Sequence, residues 1–215
     1  MNKKCIVVLK LAEKIIYNKE YDYVGVDKGA LTLANLHIPM IYAVGDFDSI
    51  EKDDLNIIKE YTNNVEVLNP IKDDSDSEHA IKKVCSLEYE EIIVYGGLGG
   101  RLDHEIVNIK LCEKYPNKLM FVGEDNRLRS YEEGIYTFNK EYTYISLFAY
   151  EDSEVSWMNT KYLLDHATLK TTDLYGLSNE IEIEPAKLVV HKGKVLVIES
   201  NDKGLPNSKG ESSNF

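Results

Sequence analysis

The sequence predicts an α/β domain followed by an all-β domain: a mainly parallel α/β sheet first, then an antiparallel β-sandwich. Two observations carry this. Over the first ~130 residues, short apolar runs alternate with stretches whose apolar residues recur at helical spacing, the pattern of βαβ units. Beyond that point helical spacing fades, and short runs rich in Tyr, Thr, Val and Ile are separated by Gly, Asn or Asp, as in a sandwich or barrel. A third observation bounds the class. The 215 residues are 43% apolar and 29% charged, ordinary globular values that exclude a collagen-like or wholly disordered chain.

The elements follow in order. Residues 5–9 form a short, β-branched apolar run suited to a buried parallel strand. Residues 11–17 place Leu11, Ile15 and Ile16 at helical spacing. Strands are expected at 23–26, 40–44, 65–68, 91–95 and 119–122, and helices at 28–36, 50–61, 76–86 and 102–114. Together they make a Rossmann-like domain over 1–130. Short strands are expected at 131–136, 142–148, 155–157, 167–171, 181–185, 188–192 and 195–199, giving the β-sandwich of 131–202. His191–Lys194 reads as a hairpin turn. Residues 203–215, rich in Gly, Ser and Asn, read as a mobile tail.

Charge and cysteine content narrow the function. Lys and Arg total 25 against 37 Asp and Glu, a net charge of −12. Such a chain, without a basic run, is a poor match for nucleic acid or an anionic membrane. It suits Mg2+, which prefers carboxylate oxygens. Three cysteines without a CxxC pair argue against a disulfide framework. No apolar run approaches the ~18 residues of a membrane span. Residues 1–11 lack the longer apolar region and cleavage site of a signal peptide. The expected compartment is the cytosol.

Three clusters carry candidate chemistry, each placed after an expected strand. Gly45-Asp46-Phe47-Asp48-Ser49 puts two carboxylates at a strand end, where open parallel sheets gather ligands. The bland alternative is a turn with Ser49 capping the next helix. Lys72-Asp73-Asp74-Ser75-Asp76-Ser77-Glu78 contains a capping box, Ser75 with Glu78. The box leaves the crowded aspartates unexplained, and a cation shared with the first cluster would relieve them. Gly96-Gly97-Leu98-Gly99-Gly100-Arg101 has four glycines in five positions. It lets backbone approach a phosphate closely, with Arg101 as a bidentate donor. It is neither a Walker loop nor a dinucleotide fingerprint. Asp103 and His104 follow as an orienter and acid/base, or as helix caps. At one sheet edge these clusters would assemble the apparatus of Mg2+-dependent phosphoryl chemistry.

In order, GDFDS, KDDSD, GGLGGRLDH and the later SNE resemble the thiamine pyrophosphokinase family across nearly the whole chain. Val26-Asp27-Lys28-Gly29-Ala30 resembles that family's first acidic motif. Ser75 stands where the family more often has Thr, and residues 10–14 lack a glycine that many members carry. The resemblance implies transfer of pyrophosphate from ATP to the thiamine hydroxyl, with AMP leaving. It implies Mg2+ held by Asp46, Asp48 and Asp76, with Asp73 and Lys72 in support and Asp27 nearby. It also implies nucleotide phosphates at Gly97, Gly99, Gly100 and Arg101, with Asp103 and His104 beside them. Tyr162 would stack on thiamine, with Trp157 as a rival; Ser178 and Asn179 match the family's thiamine-site pair. A homodimer with active sites at the subunit interface is implied too. Two rivals remain: a Mg2+-dependent phosphatase of the haloacid dehalogenase type, with Asp46 as nucleophile, and a binding module that holds nucleotide or thiamine without turnover.

Overall fold

The computed structural model describes residues 3–48, 50–69 and 74–202. The chain forms two compact units. The first comprises Met1–Leu111 and Lys118–Gly123; the second comprises Cys112–Asn117 and Glu124–Phe215.

The first unit is built on six parallel strands: β1 (Lys4–Val8), β2 (Tyr21–Val26), β3 (Tyr42–Gly45), β4 (Val65–Val67), β5 (Glu91–Tyr95) and β6 (Leu119–Val122). They lie in the order β4-β3-β2-β1-β5-β6. Helices α1 (Lys28–Asn35), α2 (Lys52–Tyr61), α3 (Asp76–Cys85) and α4 (Leu102–Lys114) follow β2, β3, β4 and β5. The central strands are covered on both faces, so β1 reads KCIVV with its last four residues buried. Tyr23, Leu33, Ile58 and Ile93 lie in the core beside them. Strand order reverses between β1 and β5, and the carboxyl ends of the strands at such a point open a crevice. Gly29 is required there: a Cβ on it would run into the carbonyl of Val8, where α1 begins against the end of β1.

The expected helix at 11–17 is absent; residues 12–18 have no regular structure. Of its apolar stripe only Ile15 packs against the core, while Leu11 and Ile16 are exposed. Seven residues do not sustain a helix without packing. The segment is tied down instead by the Asn18 N–H donating to the Tyr23 hydroxyl at 2.8 Å. Helix α2 also starts later than the Ser49 cap would allow, with Glu51 at its cap position. The Glu51 N–H donates to the Asp54 carboxylate at 3.0 Å. Ser49 itself lies outside the described residues, as does the expected tail 203–215.

The second unit packs two antiparallel sheets. One holds β7 (Asn126–Tyr131), β13 (Val195–Ser200) and β9 (Tyr144–Ala149), in that order. The other runs β11 (Leu164–Leu169), β10 (Ser153–Met158), β12 (Ala186–Lys192), β8 (Gly134–Phe138). Alternating side chains from both meet in one core: Ile145, Leu147, Val195 and Val197 from the first, Trp157, Leu169, Leu188 and Val190 from the second. The residues around His191–Lys194 do not close a hairpin ladder. They carry the chain from β12 in one sheet to β13 in the other, which lets the apolar faces of both strands share the core. Gly193 makes the corner at φ 90, with Ser153 packed beneath it. The run at 131–136 is likewise split between sheets, ending β7 and beginning β8. The expected strand at 181–185 reduces to an isolated bridge between Thr160 and Ile181. Among the described residues no helix is long and apolar enough to cross a membrane.

Candidate active site

Three aspartates converge at the carboxyl ends of the parallel strands. Asp27 follows β2, Asp46 follows β3, and Asp76 opens α3. Each is half-buried, and each offers a carboxylate oxygen within 4.8 Å of the others. Carboxylates this close repel unless a cation sits among them, and three oxygen donors suit a hard divalent ion. The backbone is bent to make this arrangement. Asp27 adopts φ 48 and Phe47 φ 55, conformations a non-glycine residue rarely takes. Asp27 stands at the cap of α1, yet its carboxylate does not cap the helix. Gly45 has no side chain because that space is filled by the Asp27 carboxylate: a Cβ there would overlap its Oδ1. Asp46 accepts the Asp48 N–H at 3.0 Å, while Asp48 itself is exposed and is not one of the three.

Asp76 is held by the start of α3. Ser75 caps the helix, its hydroxyl accepting the Glu78 N–H at 3.2 Å. The Glu78 carboxylate turns to Lys82 at 2.7 Å, and Lys82 also binds Asp74 at 2.9 Å. Glu78 and Asp74 together hold the Lys82 ammonium above the ordinary lysine range. Farther along α3, Lys83 and His79 both reach Glu66 on β4, at 2.8 and 3.2 Å. Tyr42 also donates to Glu66. The Lys83 and Tyr42 hydrogen bonds bring Glu66 down to about 2. Lys72 and Asp73 lie outside the described residues.

The glycine loop follows β5. Gly96 and Gly99 have φ 79 and 87, which glycine alone adopts readily. Gly97 packs flat on Phe121, and its carbonyl accepts from the buried Asn108 at 2.7 Å. The N–H groups of Gly99 and Gly100 both donate to Oε1 of Glu105, at 2.9 and 2.8 Å. Arg101 makes a two-point contact with Asp103, at 3.1 and 2.6 Å. The guanidinium holds Asp103 at about 2. His104 donates its N–H to the same carboxylate at 3.0 Å. A cleft of about 250 Å3 is lined by Ser75, Glu78, Asp103, His104, Val107 and Asn108, from the starts of α3 and α4. The second and third sequence clusters therefore share one cleft, and Asp76 links it to the acidic trio. Asn108 and Glu105 carry no motif signal. A polar residue one helical turn past another, with its side chain buried, would have been the only hint.

The second unit gathers the remaining residues. Tyr162 is 59% exposed. Asn179, buried, accepts the Tyr162 N–H at 3.0 Å and donates to the Tyr162 carbonyl at 2.9 Å. The Ser178 N–H donates to the Ser146 hydroxyl at 3.0 Å, and Ser178 sits at φ 55. Lys161 pairs with Glu180 at 2.7 Å beside them. Trp157, the rival stacker, is 1% exposed inside the sandwich and has no face to offer a ligand.

Residues 13–122 match the family described as thiamin pyrophosphokinase, catalytic domain. The chain is 28% identical over 187 residues to thiamine pyrophosphokinase of Bacillus subtilis (strain 168), covering 84% of this chain and 87% of that protein. The crystal structure of thiamine pyrophosphokinase from Bacillus subtilis superposes with a TM-score of 0.82 at 25% identity, over 93% of this chain and 100% of that one. A thiamin pyrophosphokinase family protein from Enterococcus faecalis gives 0.81 at 27% identity, over 94% and 100%. Thiamin pyrophosphokinase from Candida albicans shares the fold, at 0.74 and 18% identity over 93% and 89%.

Proposed function

The chain belongs to the thiamin pyrophosphokinase family, and on that premise we propose how its residues carry the reaction. It is an ATP:thiamine diphosphotransferase: the thiamine hydroxyl oxygen attacks the β-phosphorus of ATP, a new P–O bond forms, and AMP leaves. The fold and the comparisons lend the phosphatase and the binding module no support.

The observation that carries the site reading is the convergence of Asp27, Asp46 and Asp76 within 4.8 Å. These three fit Mg2+, and Asp48 supports the site from its edge. Bound there, Mg2+ would supply charge neutralisation for the triphosphate. Arg101 and the N–H groups of Gly97, Gly99 and Gly100 orient phosphate oxygens, with His104 beside them. Asp103, kept ionised by Arg101, is an acceptor suited to orienting the attacking hydroxyl. Most of the rate comes from positioning and charge, as phosphoryl chemistry requires.

Thiamine carries a cationic thiazolium, which an aromatic face attracts by roughly 0.5–2 kcal/mol. Tyr162 presents such a face to solvent. Asn179 clamps its backbone N–H and carbonyl, and Ser178 adjoins it, so the ring stands on a fixed support. A net charge of −12 also draws in a cation. Leu163, Leu174, Tyr175, Leu177 and Ile183 are exposed in the same stretch. So much bare apolar surface suits a second copy of the chain, in a homodimer with active sites at the subunit interface. None of the described cysteines is in a disulfide, which suits the cytosol.

Incubation with ATP, Mg2+ and thiamine, followed by product identification, tests the reaction. AMP with thiamine diphosphate is expected. ADP with thiamine monophosphate would mean a one-phosphate kinase instead.

A further inference from the structure

The phosphate-binding loop already holds an anion, and that anion belongs to the chain. One carboxylate oxygen of Glu105 accepts from two consecutive backbone N–H groups, Gly99 at 2.9 Å and Gly100 at 2.8 Å. Successive N–H groups converging on one oxygen form the concave receptor that proteins use for phosphate. A Cβ at Gly99 would meet nothing, so that side of the loop is open to an incoming group. Next in the chain, Arg101 is engaged by Asp103 in the same manner. Three of the donors expected to meet ATP, the Gly99 and Gly100 N–H groups and the Arg101 guanidinium, are therefore occupied by acidic side chains from the first turn of α4.

From this we infer that Glu105 is an intramolecular competitor for the polyphosphate of the nucleotide, and so a determinant of nucleotide affinity. The inference rests on the reading of the glycine loop as the phosphate site. A phosphate oxygen can take the Gly99 and Gly100 N–H groups only after the carboxylate swings away. A displaced Glu105 remains a negative charge near a highly charged ligand. Both effects weaken binding. The opposite role is a brace: Glu105 holds the loop in its binding shape, and losing it would cost affinity.

The two roles separate by variant. Glu105→Gln keeps the size and the accepting oxygen but removes the charge, whereas Glu105→Ala removes both. Competition predicts that both variants bind tighter than wild type, by about 3- to 10-fold, the net scale of one intramolecular hydrogen bond. A brace predicts that Glu105→Gln binds like wild type and Glu105→Ala binds worse. Calorimetric titration of the full chain with Mg·ATP, and separately with inorganic pyrophosphate, reads the difference. A matching fall in the KM for ATP is expected when AMP formation from ATP, Mg2+ and thiamine is followed. If wild type binds both ligands and Glu105→Gln binds neither more tightly, the inference is overturned alone. If wild type binds neither, the phosphate reading falls and takes the inference with it.

Discussion

The acidic trio of the first unit and the Tyr162–Asn179 pair of the second are built on opposite principles. The trio places like charges side by side and holds them with strained backbone: Asp27 at φ 48, Phe47 at φ 55, and a glycine kept bare so that a carboxylate can fit. The pair uses neutral groups in ordinary hydrogen bonds, one side-chain amide satisfying both the N–H and the carbonyl of a single residue, Tyr162. The first arrangement is costly without a ligand and is made for one that brings positive charge. The second is stable by itself and needs only to keep a ring in place. On the proposed reading, chemistry belongs at the first and selection of the organic substrate at the second.

The largest expected effect tests the first half of that contrast. Asp46→Asn and Asp76→Asn should each lower kcat by ~10²–10³-fold, the scale of removing one preorganised charge contact. They should leave the melting temperature equal to wild type or slightly higher, because a like-charge repulsion is relieved. A lower melting temperature with activity preserved would make the trio a structural feature. Gly45→Ala should do nearly as much without altering any charge. Its methyl must displace the Asp27 carboxylate, and ~1 Å of misplacement is enough for roughly 10²-fold. Full activity in Gly45→Ala would remove Asp27 from the trio. The comparison with Asp48→Ala then ranks the two aspartates flanking Phe47.

Much of the first unit was legible because its motifs are contiguous strings at the ends of buried strands, and strand ends in a parallel sheet share an edge. What could not be read was which carboxylates meet. Two aspartates at i and i+2 share a face only while the strand stays extended. Phe47, between Asp46 and Asp48, is at positive φ, so Asp46 turns in and Asp48 is left exposed. Asp27 joins from a different strand, a coincidence of tertiary structure. The failed helix at 11–17 has the same origin: local spacing was right, but the core offered no surface for Leu11 and Ile16. In the second unit the strand pattern was legible and the sheet membership was not. A turn between β12 and β13 looks alike whether the strands pair or part.

Smaller effects should appear in the second unit, and in a different kinetic constant. Tyr162→Ala should raise the KM for thiamine about 3- to 30-fold, the range of one cation–π contact, with kcat and the KM for ATP little changed. Asn179→Ala should raise the same KM and also lower stability by about 1–3 kcal/mol, since it removes the two hydrogen bonds that fix the Tyr162 backbone. If either substitution moved only the KM for ATP, the division of labour between the two regions would be wrong.

The smallest effect concerns how the first region is held rather than what it does. Glu66 on β4 is gripped by Lys83 and His79 of α3, the helix that carries Asp76. The amide latch of the second unit contains nothing that titrates. With the Lys83 hydrogen bond foremost, Glu66 falls from 4.5 to about 2 in the folded chain. A depressed carboxylate contributes stability that is fully present above the unfolded value and is lost as pH drops through the folded one. The contribution of Glu66 should therefore stand intact above about pH 4.5 and vanish toward pH 2. Its side chain is 36% exposed, so solvent screening keeps the effect small, about 1–3 °C in melting temperature. Glu66→Gln should melt lower than wild type by that margin at pH 6, and the two curves should converge as the pH falls to about 2. A gap that persists at low pH would mean that the size and hydrogen bonds of residue 66, and not its charge, seat α3.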